Sequence, residues 1–304
     1  MAENNTQKTL QILDIDAYSP PQIACRIDKV AMVKAKLSFV QTFILGILAG
    51  VYIGIGAQFA TLVICDSTLH YGLTSLIGGI AFSLGLMLVV IGGAELFTGN
   101  CLIIMGYVSK RITTREMLNN WTISFMGNSV GSLTMVCWMY KTHQFDFFHQ
   151  MVGAKALLIA HTKVGLTFKT ALARGVLCNA MVCLAVWLCF SGRTAADKIL
   201  SIVFPIGGFV ASGFEHCVAN MYFIPMGIIL RKNPEVVAAA EKMAGKALDF
   251  SQLTWRGFFI NNLFPVTLGN IVGGVILVGI MFWFVYLRPH ISFSLNVKQD
   301  FFNK

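Results

Sequence analysis

Two apolar runs, Leu73 to Val108 and Ile199 to Leu230, are too long for a single membrane crossing, and each carries a carboxylate near its middle. Their 36 and 32 residues, at about 1.5 Å each, would make rods of roughly 50 Å against a hydrocarbon core of about 30 Å. Inside them stand Gly93-Ala-Glu-Leu-Phe-Thr-Gly-Asn100 and Gly213-Phe-Glu-His-Cys-Val-Ala-Asn220, both reading G-x-E-x-x-x-x-N. A carboxylate at that depth costs roughly several kcal/mol unless something satisfies it. The runs are therefore expected to be helices interrupted near their midpoints. Gly99 would supply the permissive backbone, while Glu95, Asn100, Glu215 and Asn220 would bond the backbone groups that the breaks release. Paired interruptions at corresponding places in two halves mark a solute path near mid-bilayer.

A hydrophobic fraction of 56%, against 12% charged residues, excludes a soluble globular class. Apolar runs at about 37–65, 73–108, 117–140, 171–192, 199–230 and 257–287 predict an all-α polytopic membrane protein with six spans. The net charge of +9 is spread over every polar segment, which argues against nucleic acid as a partner. Lys and Arg distribution favours both termini on the cytoplasmic side: Lys8, Arg26, Lys29, Lys34 and Lys36 precede the first span, and the loop from Asp66 to Gly72 has no basic residue. The long segments 141–170 and 231–256, read as external loops, carry basic residues too, but long loops count little in that rule. The first 36 residues hold Glu3, Asp14, Asp16 and Asp28 and no apolar core, so they do not read as a cleavable signal peptide. Ser19-Pro-Pro21 opens an amphipathic helix there, either lying in the headgroup region or covering the pore. Three regions result: a cytoplasmic segment 1–36, a channel domain 37–288 and a cytoplasmic tail 289–304.

The repeat extends beyond the two runs. Gly46-Ile-Leu-Ala-Gly50 in the first span is answered by Gly175-Val-Leu-Cys-Asn179 in the fourth, and Gly127-Asn-Ser-Val-Gly131 in the third by Gly269-Asn-Ile-Val-Gly273 in the sixth. Small residues at such spacing let backbones approach closely. A unit with an odd number of crossings must re-enter from the opposite face, so the halves form two inverted three-helix repeats. The eight cysteines show no C-x-x-C pair, and no metal-ligand spacing, phosphate loop or nucleophile elbow appears, so neither a metal nor another cofactor is expected.

Glu95-Leu-Phe-Thr98, Gly127-Asn128, Ser212-Gly-Phe-Glu-His-Cys-Val-Ala-Asn220-Met, Ile224-Pro-Met-Gly-Ile228 and Gly269-Asn270 together resemble the formate/nitrite transporter family, most closely its bacterial formate channels. The resemblance spans about residues 37–288, with Gly99-Asn100 departing from the Ser-Thr of some members. It implies a bacterial inner-membrane homopentamer of aquaporin-like outline with a pore in every protomer, passing formate and similar small monovalent anions. By similarity, Thr98 sits in the loop of the first break and His216 faces the pore from the second. Phe82, Leu86, Leu96 and Phe209 match the two constrictions, Lys163 matches a basic residue at the outer vestibule, and Asn179 matches a polar partner near it.

His216 is the only histidine inside an apolar span, and a lone intramembrane imidazole is a functional candidate by default. With Thr98 it would offer hydrogen bonds to a carboxylate-sized anion. It would act either as a protonated counter-charge or by passing a proton, so that the solute crosses as a neutral acid. A bare anion between Phe82, Leu86 and Phe209 loses hydration that those side chains cannot replace, which favours involvement of protons. Nitrite or hydrosulfide channels are alternatives within transport. A membrane-embedded enzyme or receptor is the competing class, against which the missing catalytic motifs argue.

Overall fold

The computed structural model describes residues 16–288. Among these residues every regular element is helical. The tail 289–304 and the first 15 positions lie outside the described residues.

The chain begins with α1 (Pro20–Ala35), whose Ile23, Ala24, Ile27 and Ala31 are buried. It continues with α2 (Phe39–Ile64) and α3 (Tyr71–Gly92). After four non-helical residues comes α4 (Phe97–Val108), with a 3-10 turn at Cys101–Ile103. The second long apolar run is likewise divided, between α8 (Ala195–Ala211) and α9 (Cys217–Leu230). Between the two runs lie α5 (Thr114–Lys141), α6 (Phe147–Val164) and α7 (Phe168–Ser191), and after them α10 (Pro234–Ala244) and α11 (Gly257–Tyr286), which has π-type turns at Gly257–Leu263 and Gly273–Ile280. Four of these helices, α2, α3, α7 and α11, are long and apolar enough to cross a membrane by length and composition. Several starts are fixed locally by reciprocal capping boxes: Ser38 with Gln41, Thr113 with Glu116 and Thr194 with Asp197.

The segments 141–170 and 231–256, read from sequence as plain loops, in fact hold α6 and α10. Both pack on the body of the protein, with Val152, Leu157 and Ala160 of α6 and Val236 and Ala240 of α10 fully or almost fully buried. Their apolar content is too diluted by Lys, His and Glu to stand out as spans, so hydropathy alone passed over them. Helix α1 is equally anchored: Asp28 pairs with Arg111 at 2.6 Å, and the ring of Tyr18 lies between the guanidiniums of Arg26 and Arg193 at 3.8 and 4.0 Å. Burial pushes the Asp28 carboxyl above its usual range, while Ser109 and Arg111 pull it down.

Close backbone approach explains the glycine pairs. Helix α2 meets α5 where a Cβ on Gly46 would stand 3.1 Å from the Gly127 Cα, and α7 meets α11 where a Cβ on Gly175 would stand 3.2 Å from the Gly269 Cα. The two halves thus use the same contact at matching positions. A Cβ on Gly269 would overlap the Leu172 carbonyl oxygen, whereas one on Gly72 would meet nothing within 4 Å. Gly269→Val should therefore destabilise the protein by about 3 kcal/mol or prevent its folding, while Gly72→Ala leaves it unchanged. Thermal unfolding of the detergent-solubilised protein, followed by size exclusion, distinguishes the two; equal melting points would refute the packing argument.

Candidate functional site

The divided runs come together at the centre of the molecule, and the local backbone shows how. Helix α3 ends at Gly93, which adopts φ +76, and α8 is followed by Gly213 at φ +67. Only glycine occupies this left-handed region without strain. After each glycine the chain turns back on its own helix, with the Ala94 N–H on the Val89 carbonyl at 2.9 Å and the Phe214 N–H on the Phe209 carbonyl at 3.1 Å. Gly99 is not the hinge expected from sequence. It lies in the first turn of α4, and Thr98 is also helical there and not in the loop.

Neighbouring helices complete the backbone hydrogen bonds. The Glu95 N–H donates to the Leu45 carbonyl at 3.2 Å, and the Glu215 N–H to the Arg174 carbonyl at 3.3 Å. Asn128 clamps the first break: its amide donates to the carbonyls of Gly46 and Glu95 at 2.8 and 2.9 Å, and its oxygen accepts from the Phe97 N–H at 2.9 Å. Asn270 does the same at the second, donating to Gly175 and Glu215 at 2.8 and 2.9 Å and accepting from the Cys217 N–H at 2.9 Å.

The side chains of Glu95 and Glu215 do not bond released backbone groups, contrary to expectation. Each is the acceptor of a buried cluster instead. Lys34 donates to Glu95 at 2.6 Å and to the Asn100 oxygen at 2.9 Å, while the amide of Asn100 donates to Glu95 at 2.7 Å and to Asn120 at 2.9 Å. In the other half Lys163 donates to Glu215 at 2.9 Å, and the amide of Asn220 donates to Glu215 and to Asn262, both at 2.7 Å. The circle closes through the Asn120 amide on the Lys34 carbonyl at 3.2 Å and the Asn262 amide on the Lys163 carbonyl at 2.9 Å. Asn100 and Asn220 therefore serve the carboxylates and not the backbone of the breaks. Lys163 is largely enclosed, its side chain 15% exposed.

Lys34, Asn120 and Asn262 were not singled out from sequence, although a signal existed. Lys34 precedes Gly46 by the interval that separates Lys163 from Gly175, and Asn120 and Asn262 precede Asn128 and Asn270 by equal intervals.

Between the two clusters, the Thr98 hydroxyl and the His216 Nε2 are 2.8 Å apart, both residues buried. His216 caps α9, its Nδ1 accepting the Ala219 N–H at 3.1 Å. An Nδ1 that accepts cannot carry the proton of a neutral imidazole, so that proton resides on Nε2 and is donated to Thr98. Asn179 lies beside Thr98: its amide donates to the Thr98 carbonyl at 3.2 Å and to that of Asn270 at 2.7 Å. The ring of Phe209 is 6.2 Å from His216 and packs edge-on against Phe82 at 5.7 Å. Leu86 and Leu96 line a cavity of about 200 Å³ that also reaches Lys34, Glu95 and Asn100. No group of residues suited to a metal ion is found among the described residues.

A polar pair enclosed by apolar rings, inside a bundle of membrane-length helices, defines a multi-pass membrane protein of the transport class. The sequence profile described as Formate/nitrite transporter matches residues 21–284. The chain is 42% identical to the formate channel FocA of Escherichia coli strain K12 over 278 residues, 90% of this chain and 96% of that one. It is 40% identical to the formate channel FocA of Haemophilus influenzae, with 89% and 95% covered. Among solved structures, a pentameric formate channel with formate bound matches at TM-score 0.73 and 41% identity, covering 82% of this chain and 98% of the other. An FNT family ion channel matches at TM-score 0.72 and 25% identity, covering 86% and 98%. The chain belongs to the formate/nitrite transporter family, a family of transporters and not of enzymes.

The enclosed lysine–carboxylate pair makes a thermodynamic prediction. Lys163→Met leaves the Glu215 carboxylate buried without its cation and should cost about 3–5 kcal/mol, whereas adding Glu215→Gln to it restores part of that loss. Melting curves of both variants measure this; additive losses would show that the pair is not coupled.

Proposed function

We propose that this protein is a formate channel of the bacterial inner membrane, admitting formate and similar small monovalent anions together with protons. Six crossings form two inverted trios, the second and fifth of them interrupted, and each protomer of a homopentamer holds its own pore in the bilayer. Residues 37–288 make this channel domain, between cytoplasmic segments 1–36 and 289–304. The relatives' names supply the solute, and the pentameric structural neighbour supplies the assembly.

The observation that carries the reading is the Thr98–His216 hydrogen bond at 2.8 Å, held between apolar side chains in an otherwise lipophilic centre. Phe82 and Phe209 on one side, and Leu86 and Leu96 on the other, form two constrictions around it. Lys163 stands at the mouth beyond Phe82, where its ammonium, paired with Glu215, offers hydrogen bonds to an arriving anion. Asn179 fixes the Thr98 backbone. Glu95, Asn100, Glu215 and Asn220 hold the two half-helices through the lysine clusters.

Of the two roles open to His216, the geometry favours proton passage. A ring protonated on both nitrogens loses the Ala219 N–H at Nδ1, so the imidazolium is short-lived and unsuited to a resting counter-charge. In the proposed step a proton arrives at Nδ1 as that bond opens, and the Nε2 proton passes to the formate oxygen. Neutral formic acid and a neutral imidazole result, and the acid crosses the apolar rings without the desolvation cost of an ion.

Uptake of labelled formate, nitrite and hydrosulfide into proteoliposomes across a range of pH tests this reading, with the formate flux expected to be largest. Dominant nitrite or hydrosulfide flux favours those alternatives, and negligible flux of all three ends the transport proposal. His216→Asn should alter the pH profile of formate flux while the assembly survives size exclusion; an unchanged profile removes His216 from the mechanism. Leu86→Ala and Phe209→Ala should each admit larger carboxylates, and unaltered selectivity in both places the constriction elsewhere.

A further inference from the structure

The two lysine clusters match residue for residue except in one respect. Lys34 donates both to Glu95 and to the Asn100 oxygen. Lys163 donates to Glu215, and the corresponding oxygen of Asn220, fully buried, has no hydrogen-bond partner. Leaving that acceptor unpaired is unfavourable, and what the Lys163 ammonium meets instead is the ring of Phe223: its Nζ lies 5.5 Å from the ring centroid, within the range of a cation–π contact. Counting from the repeated Glu, the residue that stands at this place in the first half is Ile103, which has no π face.

Phe223 also touches the constriction. On α9 it follows His216 and Asn220 at helical spacing along one face, and its ring stacks on Phe82 at 6.5 Å with an interplanar angle of 20°. A chain of rings thus runs from His216 through Phe209, Phe82 and Phe223 to the Lys163 ammonium. We propose that Phe223 is a specificity-determining residue of the mouth at Lys163. Its face holds the ammonium off Asn220 with an N–H left for an arriving carboxylate, while its stacking on Phe82 extends that ring into the outer lip of the narrow passage. The assignment rests on the channel reading above and adds to it the residue that tells the two mouths apart.

Phe223→Ile, which installs the first half's residue type, should let Lys163 close onto Asn220. In proteoliposomes the formate concentration at half-maximal uptake through this mouth then rises about threefold or more, with the maximal flux within about twofold of the parent's. Phe223→Tyr, which keeps the π face, should behave like the parent. A parental half-saturation in Phe223→Ile, or the same rise in both variants, overturns the proposal. A second measurement does not depend on formate: Phe223→Cys on a Cys137→Ser background, treated with a small charged methanethiosulfonate, should gain one adduct by intact mass relative to that background. Absence of the additional adduct also overturns the assignment. A parent that carries no formate but whose variant gains the adduct sinks the channel reading and keeps position 223 at a water-filled mouth.

Discussion

Everything in this molecule depends on how two interrupted backbones are satisfied away from water. In the core of a membrane protein an unpaired N–H or carbonyl has no solvent to turn to, and each would cost on the order of several kcal/mol. Asn128 and Asn270 answer this with both amide donors and the oxygen, each joining the carbonyl of a neighbouring helix to the break and to the first residue of the helix that restarts. The glycines beside them are a geometric condition of that reach, because the amide meets the Gly46 and Gly175 carbonyls only where the backbones approach without intervening side chains.

The charges follow from the same constraint. A helix that restarts in the interior must do so beside some polar group, and the Glu that stands at each restart is compensated by a lysine from a separate helix, α1 in one half and α6 in the other. Because Asn residues occupy the remaining carboxylate oxygen, neither ion pair relies on Coulomb attraction alone, which in a poorly polarisable interior seldom outweighs desolvation. Helix α1 thereby becomes part of the core, and no longer an accessory lying on it.

Much of this arrangement was legible in the sequence where residue identity is forced by close packing or by depth. The Gly-Asn pairs at Gly127-Asn128 and Gly269-Asn270 read out because nothing larger than glycine fits, and the lone His216 read out because an imidazole in an oily run has few reasons to be there. The partners of the carboxylates were not legible. Lys34 looks like any solvated lysine on an amphipathic helix, and Asn120 and Asn262 stand near the polar starts of α5 and α11, where an asparagine draws no notice. Their burial is a product of tertiary packing, which periodicity does not encode. Gly99 misled for the related reason that a glycine near a break is not always the residue that turns; Gly93 and Gly213, at the head of each motif, carry the left-handed backbone.

The doubled plan also shows where the halves have ceased to mirror one another. Leu96 and His216 hold equivalent N-cap positions, one inert and one able to exchange a proton, and Lys34 borders a cavity beside the first break whereas Lys163 lies against the ring of Phe223. A conduit with unlike ends obeys equilibrium like any other, with no net movement when the gradients vanish. Far from equilibrium, however, its two directions saturate at different concentrations, so a scaffold with two closely matching halves becomes a kinetic rectifier for whatever passes along it.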